Sequence, residues 1–452
     1  MKANPNRIEE DGIGLAKTNM RAKGVQRSHA ANKIFDMIFL TVAVALIGSL
    51  NAPLSYSQML TWEACLEETA PNNPDIVVAQ QEIDKARAKR NAGLSPFLPQ
   101  LSASAGYNRS ESLSSLSNEY NMSLSARQSL FSGWRDKVAW DKSALDLEIA
   151  QARFQGTGAQ VSFELKSAFV RLLFAQENLK LAQTIAKRRQ DNVRLVELRY
   201  QAGREHKGSY LRSRAAWRQS EFEMSQTQRA LRVAQRELSR VLGREETEPL
   251  EVSGELAVEN APQETADFKA LAKFTPAYAQ ARHLAEAAAM GVVSARGAFM
   301  PELSASGSLG RGGNDWPPDS PTRWSTGLSL TFPFFTGGKN IFDTKSALAE
   351  ERRAQASFKS VALQTALDLE DAFAGYQDAW EKTGVQEEFL LAARTRSEIA
   401  RSQYASGLLS FQDWDLIEND LISNQKAWLA ARRDAVIAQA SWQKAQGRGY
   451  LP

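Results

Sequence analysis

The sequence predicts a mainly α fold with a transmembrane β-barrel part, built from two like halves. Three observations predict it. The chain of 452 residues repeats itself: Phe97-Leu98-Pro99-Gln100-Leu101-Ser102-Ala103-Ser104 returns as Phe299-Met300-Pro301-Glu302-Leu303-Ser304-Ala305-Ser306. Tyr200-Gln201-Ala202-Gly203 returns as Tyr404-Ala405-Ser406-Gly407, and Gly243 as Gly447, at nearly the same offset. A period of about 200 residues is too long for a solenoid and implies one fold of two halves. Four stretches then alternate apolar and small polar residues with period two. Finally, no proline interrupts residues 135–202 or 339–406.

The N-terminus reads as an export signal. Basic residues precede the apolar run at 37–50. That run is short for a membrane span, which needs about 20 residues, and suits a signal-peptide core. Ser55-Tyr56-Ser57 supplies small residues at a cleavage site, with Gln58 as the new N-terminus. The expected organisation is a signal peptide with a long n-region at 1–57, a first repeat at 58–254 and a second at 255–452. An uncleaved anchor helix and a start at Met20 stay open. On any of these readings the chain leaves the cytoplasm.

Each half opens with a helix. Asn73-Pro74 and Thr275-Pro276 are matched starts, a capping side chain followed by proline at the first helical position. The strands come next, at about 99–112 and 119–131, then at about 301–311 and 323–334. Leu101, Ala103, Ala105 and Tyr107 alternate with Ser102, Ser104 and Gly106; Trp324, Leu328 and Leu330 alternate with Ser325, Gly327 and Ser329. Such a strand can rest its apolar face on a soluble core, or face lipid with it and line a wet pore with the other. Ten residues suit a tilted membrane-crossing strand. Phe97, Phe131, Phe299, Phe334 and Phe335 at one end, with Tyr107, Tyr120 and Trp324 at the other, suit two interfacial girdles. Long helical hairpins follow at about 135–243 and 339–447. Gly156, Gly158, Gly375 and Gly384 are their expected weak points.

Composition excludes several classes. Residues 1–57 hold seven Lys/Arg and four acids, and the remaining 48 basic residues face 48 acidic ones. Nothing there points to nucleic acid. The one cysteine, Cys65, rules out a disulfide framework and a cysteine zinc site. It lacks the small residues that precede a lipoprotein cysteine and reads as a buried helical residue. His29, His206 and His283 are scattered, and Gly337-Gly338-Lys339-Asn340 lacks the spacing of a phosphate loop. No catalytic, cofactor or metal site is expected. Four strands cannot close a barrel, and lipid does not tolerate an open sheet edge. Membrane-crossing strands therefore need several copies, and three or more for a lumen.

Together these features resemble the TolC family of outer-membrane factors over about residues 60–447. The resemblance rests on Leu60-Thr61-Trp62-Glu63 before Asn72-Asn73-Pro74 and on the paired Leu98-Pro99 and Met300-Pro301. It rests also on Leu130-Phe131-Ser132-Gly133 and Phe334-Phe335-Thr336-Gly337-Gly338, and on Tyr-x-x-Gly at both hairpin tips. It implies a homotrimer in outer-membrane lipid, with a 12-stranded barrel and an α-helical periplasmic tunnel. It further implies a periplasmic adaptor, an inner-membrane RND or ABC transporter, and no enzyme activity. The function so implied is tripartite efflux or type I secretion, of small molecules or proteins.

The same resemblance places a periplasmic constriction at Asp413, Asp415, Tyr404 and Ser209, with Phe411 and Trp414 as bulk. Leu416 and Leu409 stand where relatives often carry a second acid and a base, and Ser209 stands at the acid position of the first tip. The charge network that latches some relatives is therefore expected to be absent in kind. Gly203, Arg204, Gly407 and Leu408 would face the adaptor. A ring of Asp413 carboxylates would favour cations; the same residue suits a helix cap, and the glycines suit ordinary C-caps. A periplasmic coiled-coil adaptor and a scaffold without a channel are the alternatives. Two hairpins and four serine-faced strands count against both.

Overall fold

The computed structural model describes residues 59–112, 115–245, 249–258 and 267–451. The expected signal peptide lies outside the described residues. Among the described residues the α-helices and strands are α1 (Trp62–Asn72), α2 (Pro74–Ala92), β1 (Gln100–Ser112), β2 (Ser115–Phe131), α3 (Arg135–Gln201), α4 (Lys207–Leu242), α5 (Phe268–Ala272), α6 (Pro276–Gly297), β3 (Glu302–Gly313), β4 (Arg323–Thr331), α7 (Lys339–Ser406) and α8 (Phe411–Ala445), with a 3-10 turn at Ser95–Phe97. The helix starts are those the sequence marks. The Asn73 side chain accepts from Asp75 N at 3.0 Å and Ile76 N at 3.3 Å, and Thr275 Oγ1 accepts from Tyr278 N at 3.4 Å. Each cap satisfies donors that the first helical turn leaves unpaired.

The strands form one antiparallel sheet in the order β1-β2-β3-β4, with β1 and β4 at open edges. The register keeps the two faces separate across all four strands. Ser102 stands opposite Ser125, Ser125 opposite Ser308, and Ser308 opposite Ser325. Ser102–Ser125, Ser104–Ser123 and Ser308–Ser325 are hydroxyl pairs at 2.7, 2.8 and 2.9 Å. The other face carries Ala103, Leu124, Leu309 and Trp324 in one row, and Leu303 opposite Leu330 in another. Leu101, Trp324 and Leu328 are 72 %, 74 % and 73 % exposed, so no core of this chain covers that face.

Strand bounds differ from expectation at three ends, with β3 running two residues further, to Gly313. β2 begins at Ser115 instead of 119, because polar pairing, including Ser110–Ser117 at 2.8 Å, extends the ladder. β4 stops at Thr331 instead of 334. Pro333 has no N–H to give a ladder, and Phe332 and Phe334 point into the open.

The long helices run without a break: α3 spans 67 residues and α7 spans 68. At about 1.5 Å per residue each is about 100 Å long. Gly156, Gly158, Gly375 and Gly384 do not interrupt them. A glycine keeps the i→i−4 bond, so the missing side chain weakens a helix without ending it. Where α6 ends against the β2–α3 turn, Gly133 and Gly297 lie back to back. A Cβ on Gly133 would stand 2.3 Å from the Gly297 carbonyl oxygen. Among the described residues, no helix is long and apolar enough to cross a membrane.

The main core lies around the middle of α3, where Leu165, Leu172, Leu238, Leu242, Val252 and Leu256 pack with Leu60 and Cys65. Leu60 pairs in parallel with Val252, giving its N–H to Glu251 O at 2.9 Å and accepting from Ser253 N at 3.1 Å. Cys65 is wholly buried in α1. Burial first, and then the Glu68 carboxylate, push its thiol up to about 11. The thiolate is the reactive form, so Cys65 is expected to resist a disulfide reagent at pH 8 in the folded protein. Labelling before and after denaturation checks this; equal rates would contradict it.

Candidate functional site

The hairpin tips carry a cluster of hydrogen bonds and ion pairs that joins distant parts of the chain. α3 and α7 close on glycines in the left-handed region, Gly203 at φ 70° and Gly407 at φ 84°. Arg204 N donates to Arg199 O and Leu408 N to Gln403 O, both at 2.8 Å. This is the bonding of a Schellman cap. A Cβ would meet nothing within 4 Å at Gly203, and at Gly407 only Arg199 Nη2 at 3.9 Å. Backbone conformation, and not space, is what calls for glycine here. Arg204 and Leu408 stand exposed at the ends.

α8 begins with a reciprocal cap. Ser410 Oγ accepts from Asp413 N at 3.1 Å, and Ser410 Oγ bonds Asp413 Oδ2 at 2.7 Å. The Asp413 carboxylate is exposed and sits where the helix dipole favours an anion. Asp415 turns the other way. Its side chain is 13 % exposed and lies 3.4 Å from both Arg189 Nη1 and Arg212 Nε.

Tyr404 lies inside the tip core and not on its surface. Its ring stacks on Trp414 at 4.3 Å and 7°, and Phe411 meets both rings edge-on at 6.3 Å. The Tyr404 hydroxyl donates to Glu205 Oε2 at 2.9 Å, and Arg199 Nη1 donates to Tyr404 O at 2.7 Å. Burial, then the bond to Glu205 and its charge, raise the Tyr404 phenol well above its ordinary value. It is therefore a neutral donor. Burial would raise Glu205, but the His206 amide and the Ser209 and Tyr404 hydroxyls outweigh it and hold the carboxyl low. Ser209 thus acts through Glu205. The first tip carries an acid of its own, Glu205, two residues after Gly203 and not at the sixth position, where Ser209 stands.

A second tie lies deeper. Glu418 is 1 % exposed. It accepts from Arg188 Nε and Nη2, both at 2.8 Å, from Ser397 Oγ at 2.6 Å and from Asn192 Nδ2 at 3.1 Å. Burial pushes its carboxyl up, and the Arg188 and Ser397 bonds, the Arg188 charge and Asn192 together bring it below the ordinary range. Arg189 reaches Asn419 Oδ1 at 2.5 Å, and Lys426 Nζ reaches Glu223 Oε2 at 2.6 Å. All these ties except Ser397–Glu418 join the α3–α4 hairpin to the α7–α8 hairpin. The sequence did hold a signal for the deep one. Glu418 falls on the buried stripe Trp414, Ile417 and Leu421 of α8, a carboxylate where helical spacing calls for an apolar residue.

Among the described residues, no cluster of His, Cys, Asp and Glu could hold a metal ion. The chemistry of the arrangement is that of a fastener between two helical hairpins.

The model of the family described as outer membrane efflux protein matches residues 65–244 and again 270–448. The alkaline protease secretion protein AprF of Pseudomonas aeruginosa is 22 % identical over 395 residues, covering 82 % of this chain and 80 % of its own. The probable outer membrane lipoprotein SilC of Salmonella typhimurium is 22 % identical over 395 residues, covering 85 % of each. Among solved structures, the transmembrane channel protein CusC superposes with a TM-score of 0.78 at 18 % identity, over 87 % of this chain and 96 % of that one.

Proposed function

The chain belongs to the outer membrane efflux protein family, and from that premise we propose that three copies build one passive export duct. The observation that carries this is the open sheet. Its apolar face is bare, its edges β1 and β4 are unpaired, and its other face is a wall of serine and glycine. Lipid requires those edges to be closed. Three copies of a 4-stranded sheet supply twelve strands, enough to close around a lumen. The strands sit in the outer membrane and the helices reach into the periplasm. Each chain contributes one of three equal parts, and the two-fold repeat explains why it brings two strand pairs and two hairpins.

The tips are the gate in this reading. The ties from Glu205, Arg199 and Glu418 hold the α7–α8 hairpin against the α3–α4 hairpin in the closed state. Opening requires them to part. Asp413, exposed at the end of α8, faces the narrowing passage; Asp415, Tyr404 and Ser209 position the helices behind it. Gly203, Arg204, Gly407 and Leu408 are the surface offered to a periplasmic adaptor, which couples the duct to an RND or ABC transporter of the inner membrane. Names such as alkaline protease secretion protein favour type I secretion of protein cargo, with small-molecule efflux as the other use of the same duct.

Cell fractionation and gel mobility test the whole reading. An outer-membrane protein that runs as a heat-modifiable trimer supports it; a protein confined to the soluble periplasm would sink it. For the gate, Asp413→Ala is expected to lower cation selectivity in planar bilayers or to raise conductance. Unchanged reversal potential and unchanged current would restrict Asp413 to its capping role, whose loss costs about 1 kcal/mol.

A further inference from the structure

We propose that each chain holds one glycerophospholipid of the periplasmic leaflet in an apolar cleft where β2 runs into α3. Two turns of the same construction show why. In the first, Ser132 Oγ accepts from Asp136 N at 3.2 Å, and Gly133 and Trp134 take φ 65° and 67° before α3 begins. In the second, Thr336 Oγ1 accepts from Asn340 N at 3.5 Å, and Gly337 and Gly338 take φ 63° and 84° before α7 begins. The left-handed region suits glycine and strains a bulky residue. The second turn uses glycine there. The first carries a tryptophan, the one described non-glycine residue with positive φ.

Neither capping nor burial accounts for that strain. Trp134 makes no side-chain cap bond and is 59 % exposed. Its indole instead closes a cleft of about 410 Å³ with Leu94, Phe97, Leu130, Phe131 and Trp140. It meets the Phe131 ring edge-on at 5.8 Å. The volume falls within the range of small-molecule pockets, about 300–1,000 Å³. At the counterpart positions the second turn has Gly338, Ile341 and Thr344 in place of Trp134, Lys137 and Trp140. At these three positions the first half has two indoles and a cation, and the second has none of them.

The surroundings say what fills the cleft. Two of its walls, Phe97 and Leu130, are next in the chain to the exposed Leu98 and to the end of β2, and Leu98 and Leu101 are 61 % and 72 % exposed. The bare apolar face of the sheet meets hydrocarbon in an outer-membrane protein, and indoles settle at the headgroup level. Lys137 lines the cleft, 55 % exposed and 2.6 Å from Asp141, and the Asp136 carboxylate beside it is engaged by Ser129 Oγ at 3.0 Å. An ammonium there is a point charge for a phosphodiester. An acyl chain between the aromatic walls and a phosphate at Lys137 satisfy both.

The test uses the full-length protein reconstituted in vesicles of phosphatidylethanolamine and phosphatidylglycerol, extracted and weighed by native mass spectrometry. Wild type is expected to keep about one phospholipid per chain, and Trp134→Gly at least about fivefold less. Trp134→Gly should also keep or raise the melting temperature in detergent, because glycine relieves the turn. Phe335→Ala, at the counterpart of Phe131 in the second turn, should leave retention unchanged. Lys137→Gln should lose any preference for phosphatidylglycerol. Equal retention in Trp134→Gly, or equal loss in Phe335→Ala, would overturn the proposal. So would a lowered melting temperature in Trp134→Gly, which would make the indole a structural prop. A Trp134 that brominated phospholipid cannot quench would mean that a second copy covers the cleft, and would overturn it too.

Discussion

Glu418→Ala is expected to open the duct. The change leaves Arg188 and Asn192 facing a buried gap, and removing one partner of a buried ion pair costs about 3–5 kcal/mol. In planar bilayers the variant should show higher conductance or longer open times than wild type. Cells carrying it should leak antibiotics that the outer membrane normally excludes. Glu418→Gln keeps the shape and some of the bonds but not the charge, and should fall between the two. An Ala variant with wild-type conductance and wild-type thermal stability would show that the tie does not hold the tips.

The same tie has a defined pH dependence. Glu418 has its carboxyl below the ordinary range in the folded chain. Its contribution is therefore fully present above the unfolded value of about 4.3 and is lost only as pH falls through the lower folded value. Conductance should be flat from neutrality down to about pH 5. A rise starting near pH 6 would mean that another group holds the gate.

Leu124→Arg is expected to abolish assembly in the membrane, while its neighbour Ser125→Arg is tolerated. Leu124 stands mid-strand on the bare apolar face, in the row of Ala103 and Leu309. An arginine at the bilayer midplane costs about 2–4 kcal/mol in a barrel, or about 6–12 kcal/mol over three copies. Ser125 points to the opposite face and loses only its bond to Ser102, worth about 1 kcal/mol. The measurement is the yield of heat-modifiable trimer in the outer-membrane fraction. Equal yields for the two variants, or the reverse order, would mean that the faces have been assigned the wrong way round.

Much of this was legible before any coordinates. Pro74 and Pro276 start helices, Gly203 and Gly407 end them, and the serine alternation marks strands; each is a local signal with a local cause. The faces of the sheet were legible for the same reason, since period two survives in the sequence. What the sequence could not show is whatever depends on distant pairing. Arg188 and Glu418 are separated by 230 positions, and nothing near either names the other. The turn after Gly203 places Glu205 by backbone geometry, which a count of residues from the glycine does not show. The strain at Trp134 is visible only as a dihedral, although the offset Gly338 hinted at it. The early stop of β4 is written in Pro333, while the alternating Phe332 and Phe334 carry the strand pattern past it.

The hydroxyl pairs on the sheet bear on how cargo would travel. Ser102 with Ser125, Ser104 with Ser123 and Ser308 with Ser325 satisfy one another across strands. Such a surface is wetted readily yet keeps few free hands to grasp a passing solute. Conduction needs wells shallow enough to leave, and a wall already bonded to itself supplies them. In a duct built as proposed, the barrel would behave as a lubricated sleeve: dwell times there would be brief and indifferent to cargo chemistry.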